Sequence, residues 1–372
     1  MKLVYEAPLF PGVGGGPRHF EGIAAALADL GVDTRVLLPS STAVNVPAGV
    51  SRQTRLPSPG DRATRHLTYE VSRIALMVWW LISGTRVDVW MSRHSLFGVG
   101  TFLARRIAKV VVLEVNGPVR EEVAANFGSP ALARLVDRLF RWQIKCADVT
   151  IAVSPGLVEY VLRRQPSARC HPVPNGSDVV NVQGSRDPLK IVYSGALTPW
   201  YDLATLLMAV ERLRSVHGVA ATLDVVGDGN GALELRRVAS DHGLADIVRF
   251  TGWLPSSVSQ QYVQSAVVGV IPMGRAAMGR SPLKLYEYAA AGLSIVGSDV
   301  DGVSNSPLGA EVFLYEVGNV ESCALALRDA LNAGHRTYDA EQWSWEARAR
   351  QILSLVQHRT DFTGLCGGSN HR

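Results

Sequence analysis

Arg280-Ser281-Pro282-Leu283-Lys284-Leu285-Tyr286-Glu287-Tyr288-Ala289-Ala290-Ala291-Gly292, followed by Leu293-Ser294-Ile295-Val296-Gly297-Ser298-Asp299, reads as a polar loop, a helix and a buried strand. Ser281 is a suitable N-cap, and Pro282 suits the first helical position, where its missing N–H costs nothing. Leu283, Tyr286 and Ala290 keep helical spacing, Gly292 fits the C′ position, and Ile295-Val296 re-enter a sheet. Lys284 and Glu287 lie three apart and project from one face of the first turns. A helix start with a nearby lysine attracts phosphate, and a carboxylate one turn on can hold two ribose hydroxyls. Spacing alone fits a capped surface helix with an intrahelical Lys–Glu pair equally well.

The surrounding chain has the same alternation of strand and helix. Lys2-Leu3-Val4-Tyr5 is a first strand, and the loop Pro11-Gly12-Val13-Gly14-Gly15-Gly16-Pro17 leaves it. A helix through Phe20, Ile23, Ala24 and Leu27 then leads to the strand Thr34–Leu38. Glycines there let backbone N–H groups approach an anion, or simply permit a tight turn. The spacing is not G-x-G-x-x-G, so a nicotinamide cofactor is not indicated. Residues 41–66, rich in Ser, Pro, Arg and Gly and without a clear period, are expected to be a loop excursion of the kind that often lines a ligand cleft. A helix from Tyr69 to Ser83 carries Trp79 and Trp80 towards the core, with a membrane-contacting face as the alternative.

The strand Val87–Met91 ends at Ser92-Arg93-His94, and Val110–Val115 ends at Asn116-Gly117-Pro118. Ligands bind at the carboxyl ends of parallel strands, which places His94 and Asn116 well, although a lone histidine is commonly structural. A helix from Arg134 to Cys146 precedes the strand 147–154, and another follows from Leu157 to Arg164. The second half opens with Leu189–Gly195 and continues through the strand-to-turn segments Ala221–Gly229 and Val248–Leu254. Asp299-Val300-Asp301 has the Asp-x-Asp pattern of metal-dependent transferases, but it follows a strand and precedes Gly302, which reads as a turn.

Composition narrows the class. A chain of 372 residues with 47% hydrophobic residues and 35 glycines suits two α/β domains. The four cysteines (Cys146, Cys170, Cys323, Cys366) are widely spaced, which argues against a disulfide framework or zinc site and for a reducing compartment. Glu6 interrupts the first apolar run, so no secretory leader is expected, and no apolar run is long enough to span a bilayer. A cytoplasmic protein is expected, with membrane association at the inner face as an option. Residues 1–185 carry 21 Lys/Arg against 14 Asp/Glu, whereas 186–372 carry 16 against 19. The basic first half fits anionic lipid, a phosphorylated acceptor or merely solvated Arg-rich helices.

The run from Ser281 to Gly292 resembles the S-P-x-K-x-x-E-x-x-A-x-G signature of retaining glycosyltransferases of family four. The resemblance extends over roughly residues 2–357. It implies an α/β GT-B fold, with two doubly wound Rossmann-like domains facing each other across a cleft. The expected boundaries are 1–182 for the acceptor domain and 183–342 for the nucleotide-sugar domain. A helix over 343–360 then crosses back, and 361–372 form a disordered tail.

The same resemblance implies a retaining transfer from a nucleotide-diphosphate sugar to a hydroxyl of a glycan or lipid-linked acceptor. No cofactor and no metal are expected, no nucleic-acid partner is indicated, and the oligomeric state is open. It assigns the donor to Gly195, Gly227, Asp228, Gly252, Trp253, Leu254, Ser281, Pro282 and Leu283. Glu287 would hold the ribose, and Lys284, with Arg275 or Arg280, would face the diphosphate. Gly14, Gly15, Gly16 and Arg18 match the family's G-G-x-x-R first loop, and Arg93, His94 and Asn116 become acceptor-side candidates. Two family residues are absent. Gly279 stands where a second glutamate is usual, and Tyr201-Asp202 stand where Lys and Gly are usual. These departures keep a non-catalytic nucleotide-sugar binder in view, and a sugar-nucleotide epimerase is a third reading.

Overall fold

The computed structural model describes residues 1–10, 15–61, 64–179, 186–275, 280–339 and 341–366. The chain forms two compact units, Met1–Pro174 with Trp345–Arg372, and Asn175–Ser344.

In the first unit the elements run β1 (Lys2–Glu6), α1 (Gly16–Asp29), β2 (Asp33–Pro39), β3 (Arg52–Leu56), α2 (Thr64–Ile82), β4 (Val87–Arg93) and α3 (Thr101–Ile107). They continue as β5 (Ala108–Val115), α4 (Val119–Phe127), α5 (Pro130–Cys146), β6 (Val149–Ala152), α6 (Pro155–Arg164) and β7 (Cys170–Pro172). The strands pair in parallel in the order β3-β2-β1-β4-β5-β6-β7. The order reverses between β1 and β4, which opens a crevice at their carboxyl ends. The central strands β4 and β5 are largely buried, hence the run Val110–Leu113 in β5 and the Val, Trp and Met of β4.

The segment 41–66 is not one loop. Residues 52–56 form β3, and α2 begins at Thr64. An edge strand needs only backbone pairing on one side, so the polar Arg52-Gln53-Thr54-Arg55 forms one without an apolar pattern. On α2 the two tryptophans part company. Trp80 is buried against Trp90, and Trp79 faces outward.

The second unit contains β8 (Lys190–Ser194), α7 (Leu203–Ser215), β9 (Thr222–Val226), α8 (Ala232–Asp241), β10 (Val248–Gly252) and α9 (Ser256–Ser265). Then come β11 (Val268–Ile271), α10 (Leu283–Ala290), β12 (Ser294–Ser298), β13 (Val312–Tyr315) and α11 (Val320–Ala333). All pairings are parallel, in the order β10-β9-β8-β11-β12-β13. The reversal here falls between β8 and β11, and the loop leaving β11 leads into α10.

The unit boundaries lie at 174/175 and 344/345, against 182/183 and 342/343 in the sequence reading. The reason is local pairing. Asn175 Nδ2 donates to the Ser281 carbonyl at 2.8 Å, Ser177 N donates to the Trp343 carbonyl at 2.8 Å, and Val179 packs in the core of the second unit. The last helix, α12 (Trp345–Cys366), belongs to the first unit and packs along α1. Its Trp345 ring lies over Gly22, leaving no room for a side chain there, and meets His19 edge-on at 5.3 Å. The helix continues to Cys366, past residue 360, where a tail was expected.

One contact sets how closely α10 approaches its sheet. A Cβ on Gly269 of β11 would lie 2.5 Å from the Tyr288 ring, and the Tyr288 hydroxyl accepts from Ser194 N at 2.9 Å. Gly269→Val is therefore expected to destabilise the protein by about 1–3 kcal/mol through overpacking. Urea unfolding monitored by circular dichroism reads this directly, and an unchanged midpoint would mean that α10 does not rest on β11 through this contact.

Candidate active site

In the second unit, α10 starts one residue later than its sequence suggests. Pro282 is the N-cap, in an extended conformation, and Ser281 makes no cap. Its hydroxyl lies 3.3 Å from the Tyr286 hydroxyl, and its carbonyl is held by Asn175. The residue before a proline is biased out of helical conformation, which moves the start of α10 past Ser281. The other end follows the sequence. Gly292 takes a φ of +77°, and the Leu293 N–H returns to the Tyr288 carbonyl at 3.0 Å.

Lys284 and Glu287 are brought together on the first turns of α10, with Nζ 2.5 Å from Oε2. The Glu287 side chain is largely buried, whereas Lys284 keeps about a third of its surface (33%). The pair therefore presents a partly exposed cation beside a fixed carboxylate. The helix dipole adds positive potential at the same end.

Two loops flank this helix start. Gly195 follows β8, and Gly227 follows β9 with a φ of +142°. A Cβ on Gly227 would lie 1.9 Å from the Gly195 carbonyl, so the two turns can interlock only with glycine there. Asp228 continues the lock, its carbonyl accepting from Leu197 N and its side chain from Gly229 N. Gly252 ends β10, and its carbonyl accepts from Gly227 N at 3.0 Å. Trp253 beyond it is exposed, and Leu254 is half-buried against the second core.

Tyr201, where the sequence resemblance leads one to expect lysine, is a half-buried aromatic. It bridges Met273 and meets Tyr193 edge-on at 5.9 Å. Burial raises its hydroxyl pKa, and the Arg280 charge opposes that rise. Arg280 itself lies over the Trp200 ring at 5.1 Å, so a cation is present next to the position that lacks its lysine. Asp202, where glycine is usual, has a structural role, accepting from Gly318 N and Thr205 Oγ1 at 2.8 and 2.7 Å. Arg275 is placed apart, 4.0 Å from Glu316 at the end of β13. Asp299 and Asp301 lie in the bend and turn after β12, as expected, with Asp301 accepting from Asn305. Gly279 lies outside the described residues.

In the first unit, the carboxyl ends of β1, β4 and β5 converge on a residue that sequence reasoning missed, Glu114. It is buried at the end of β5 and receives Tyr5 Oη at 2.7 Å and His19 Nε2 at 2.8 Å. Asn116 Nδ2 also donates to it, and Arg93 Nε lies 3.7 Å away. Burial alone would raise its pKa. The His19 imidazole, the Arg93 guanidinium and the Asn116 amide outweigh that and hold it well below the usual carboxylate range. The one signal available in the sequence is a lone carboxylate inside the apolar run Val110–Val115.

Glu114 thereby draws together several predicted residues. Arg93 Nη1 donates to the Gly16 carbonyl at 3.0 Å, joining the end of β4 to the start of α1, where Gly15 is the N-cap and Arg18 lies in the first turn. Gly14 lies outside the described residues. His94 N donates to the Glu114 carbonyl, and its Nδ1 is buried with no hydrogen-bond partner. Burial pulls its pKa down, opposed by Glu122, so the imidazole stays neutral at pH 7. A second buried cluster lies nearby. Glu6 at the end of β1 accepts two bonds from Arg73, which also meets Glu70.

The model of the Glycosyltransferase Family 4 domain matches residues 13–180, and that of the Glycosyl transferases group 1 matches residues 188–333. Between them they take in both units. Among curated proteins, the amylovoran biosynthesis glycosyltransferase AmsK of Erwinia amylovora is 28% identical over 119 residues. That match spans 31% of this chain and only 29% of the relative's length. Among solved structures, HepE of Anabaena in complex with UDP and glucose aligns with a TM-score of 0.70 at 15% identity, covering 96% of this chain and all of that one. Sucrose-phosphate synthase of Thermosynechococcus elongatus aligns at 0.68 and 16% identity, covering 98% and 100%. The architecture of two doubly wound units is that of the GT-B glycosyltransferases.

Proposed function

The chain belongs to the group 1 glycosyltransferases, and from that premise we propose that it moves a sugar from a nucleotide-diphosphate sugar to an acceptor hydroxyl with retention of anomeric configuration. The observation that carries the donor half is the start of α10 at the topological switch of its sheet, with Lys284 held against Glu287. Glu287 receives the two ribose hydroxyls. Lys284, the dipole of α10 and Arg280 take the charge of the departing diphosphate, with Arg280 serving in place of the lysine replaced by Tyr201. The turns at Gly195, Gly227 and Gly252 offer backbone to the nucleotide, with Trp253 and Leu254 beside the base. The leaving phosphate itself takes the acceptor proton, so the scheme needs neither a metal nor another cofactor.

On the acceptor side, the neutral His94 with its open Nδ1 and the Asn116 amide fixed on Glu114 are the groups that would meet the incoming hydroxyl. The resemblance to an amylovoran biosynthesis glycosyltransferase favours a glycan or lipid-linked acceptor. The three described cysteines that remain free agree with a cytoplasmic setting. A nucleotide-sugar binder without turnover is the competing reading, favoured by the aromatic Tyr201 in the lysine position.

Titration calorimetry with UDP, GDP and ADP and their sugars tests the donor site, and product analysis with an added acceptor tests turnover. Arg280→Ala is expected to weaken nucleoside diphosphate binding about tenfold, the scale of one charged hydrogen bond, and to leave the bare nucleoside unaffected. An equal loss for both ligands would remove Arg280 from the diphosphate. Binding without any transfer or donor hydrolysis would favour the competing reading.

A further inference from the structure

On the first unit, α2, α3 and α5 lie side by side, α3 packing against both neighbours. Their outer face is unlike the rest of the unit. On α2, Leu67, Val71, Val78 and Ile82 recur at helical spacing and are all exposed, Ile82 at 81% and Val71 at 60%. Trp79 joins them at 59%. The strip runs about 22 Å along the helix, from the rise per residue. Phe102 on α3 extends it and meets Trp142 on α5, with ring centroids 6.4 Å apart. A continuous apolar strip of this length on a helix is a surface that water does not favour.

The exposed charges on the same three helices are of one sign. Arg105 and Arg106 on α3, and Arg138, Arg141 and Lys145 on α5, are exposed, with Arg105 3.9 Å from the half-buried Asp148 just past the end of α5. The only carboxylates on the three helices, Glu70 and Asp137, are buried and held by Arg73, Arg141 and Arg164. Spread-out cations beside an apolar, Trp-bearing strip match a diffuse negative surface rather than a partner with specific ion pairs. Among the described residues no helix is long and apolar enough to cross a membrane, so the strip can only lie along one.

We propose that the outer face of α2, α3 and α5 docks on an anionic lipid bilayer. The α2 strip sits at the headgroup boundary, and the arginines and lysine of α3 and α5 meet lipid phosphates. The proposal stands on this surface alone and does not depend on the transferase reading. It gives physical content to the excess of basic residues in the first half of the chain.

Flotation of the full chain with phosphatidylcholine vesicles, with and without about 30% phosphatidylglycerol, tests it. Binding is expected only with the anionic lipid at about 0.1 M salt, and at least tenfold weaker at about 0.5 M as the charges are screened. The double variant Trp79→Ser/Ile82→Asp should lose binding tenfold or more, with its unfolding midpoint retained. Arg105→Glu/Arg106→Glu should do the same, since each cation near such a surface contributes roughly a fivefold factor. Quenching by brominated lipid should fall in Trp79→Phe. Absence of flotation with anionic vesicles, or wild-type flotation of both double variants, overturns the proposal. So does a concentration-dependent dimer abolished by Ile82→Asp, which would assign the face to a second copy of the chain.

Discussion

Glu287→Ala is expected to lower nucleoside diphosphate affinity by about one to two orders of magnitude, and to reduce transfer by at least as much. The size follows from losing hydrogen bonds to a charged acceptor, about 1.5–3 kcal/mol. The fold should survive. Glu287 is bonded to one residue one turn away, and its partner Lys284 keeps access to water, so no charge is stranded inside the protein. Titration calorimetry with the preferred nucleotide measures the loss, and thermal unfolding without ligand checks the fold. The ligand-induced rise in melting temperature should vanish together with binding, because only native-state binding produces it. A variant that binds and turns over like the wild type would move the ribose site elsewhere.

Glu114→Gln is expected to produce the largest loss of stability of any single substitution considered, about 3–5 kcal/mol, the cost of breaking a buried charge cluster. The amide keeps the shape but removes the negative charge that His19, Arg93 and Asn116 were arranged around. The pH dependence has a definite sign. The native pKa lies below the ordinary value of 4.5, so the carboxylate's contribution is complete above that value and is lost as pH falls through the native pKa. Urea unfolding between about pH 7 and 3 should show wild type and variant far apart at the upper end and converging at the lower. A gap that stays constant with pH would mean that the charge of Glu114 does not carry the effect. Because Asn116 and Arg93 are both held by Glu114, acceptor-dependent activity should fall in this variant more than donor binding does.

The α/β class, the two-unit organisation and the helix of the donor pair were legible because they rest on local information. Apolar runs of strand length, glycines at their ends and a 3.6-residue period after them need no knowledge of the rest of the chain. The pairing of Lys284 with Glu287 is of the same kind, since three residues on a helix are always neighbours. Gly292 follows for the same reason, a left-handed residue being required where a helix must stop and turn. Other local readings failed where two local preferences competed. Ser281 is a good cap by type, but the proline after it moves the helix start one residue on. The strand β3 escaped notice because an edge strand asks little of its side chains.

Sequence by itself therefore determined the alternation of strands and helices, the glycine-bounded turns, and the chemistry presented by the first turns of α10. Tertiary structure alone decided which strand ends meet. Glu114, Tyr5, His19 and Arg93 stand far apart along the chain and become neighbours only because β1, β4 and β5 are adjacent in the sheet. It also decided which of Trp79 and Trp80 faces water, since the second half of α2, residues 74–82, is apolar all round and has no pattern to choose by. The same packing left an uncovered apolar face among exposed arginines. The physical reason is common to all three. Periodicity fixes a residue's direction relative to its own element, but burial and charge depend on what the other elements bring alongside it.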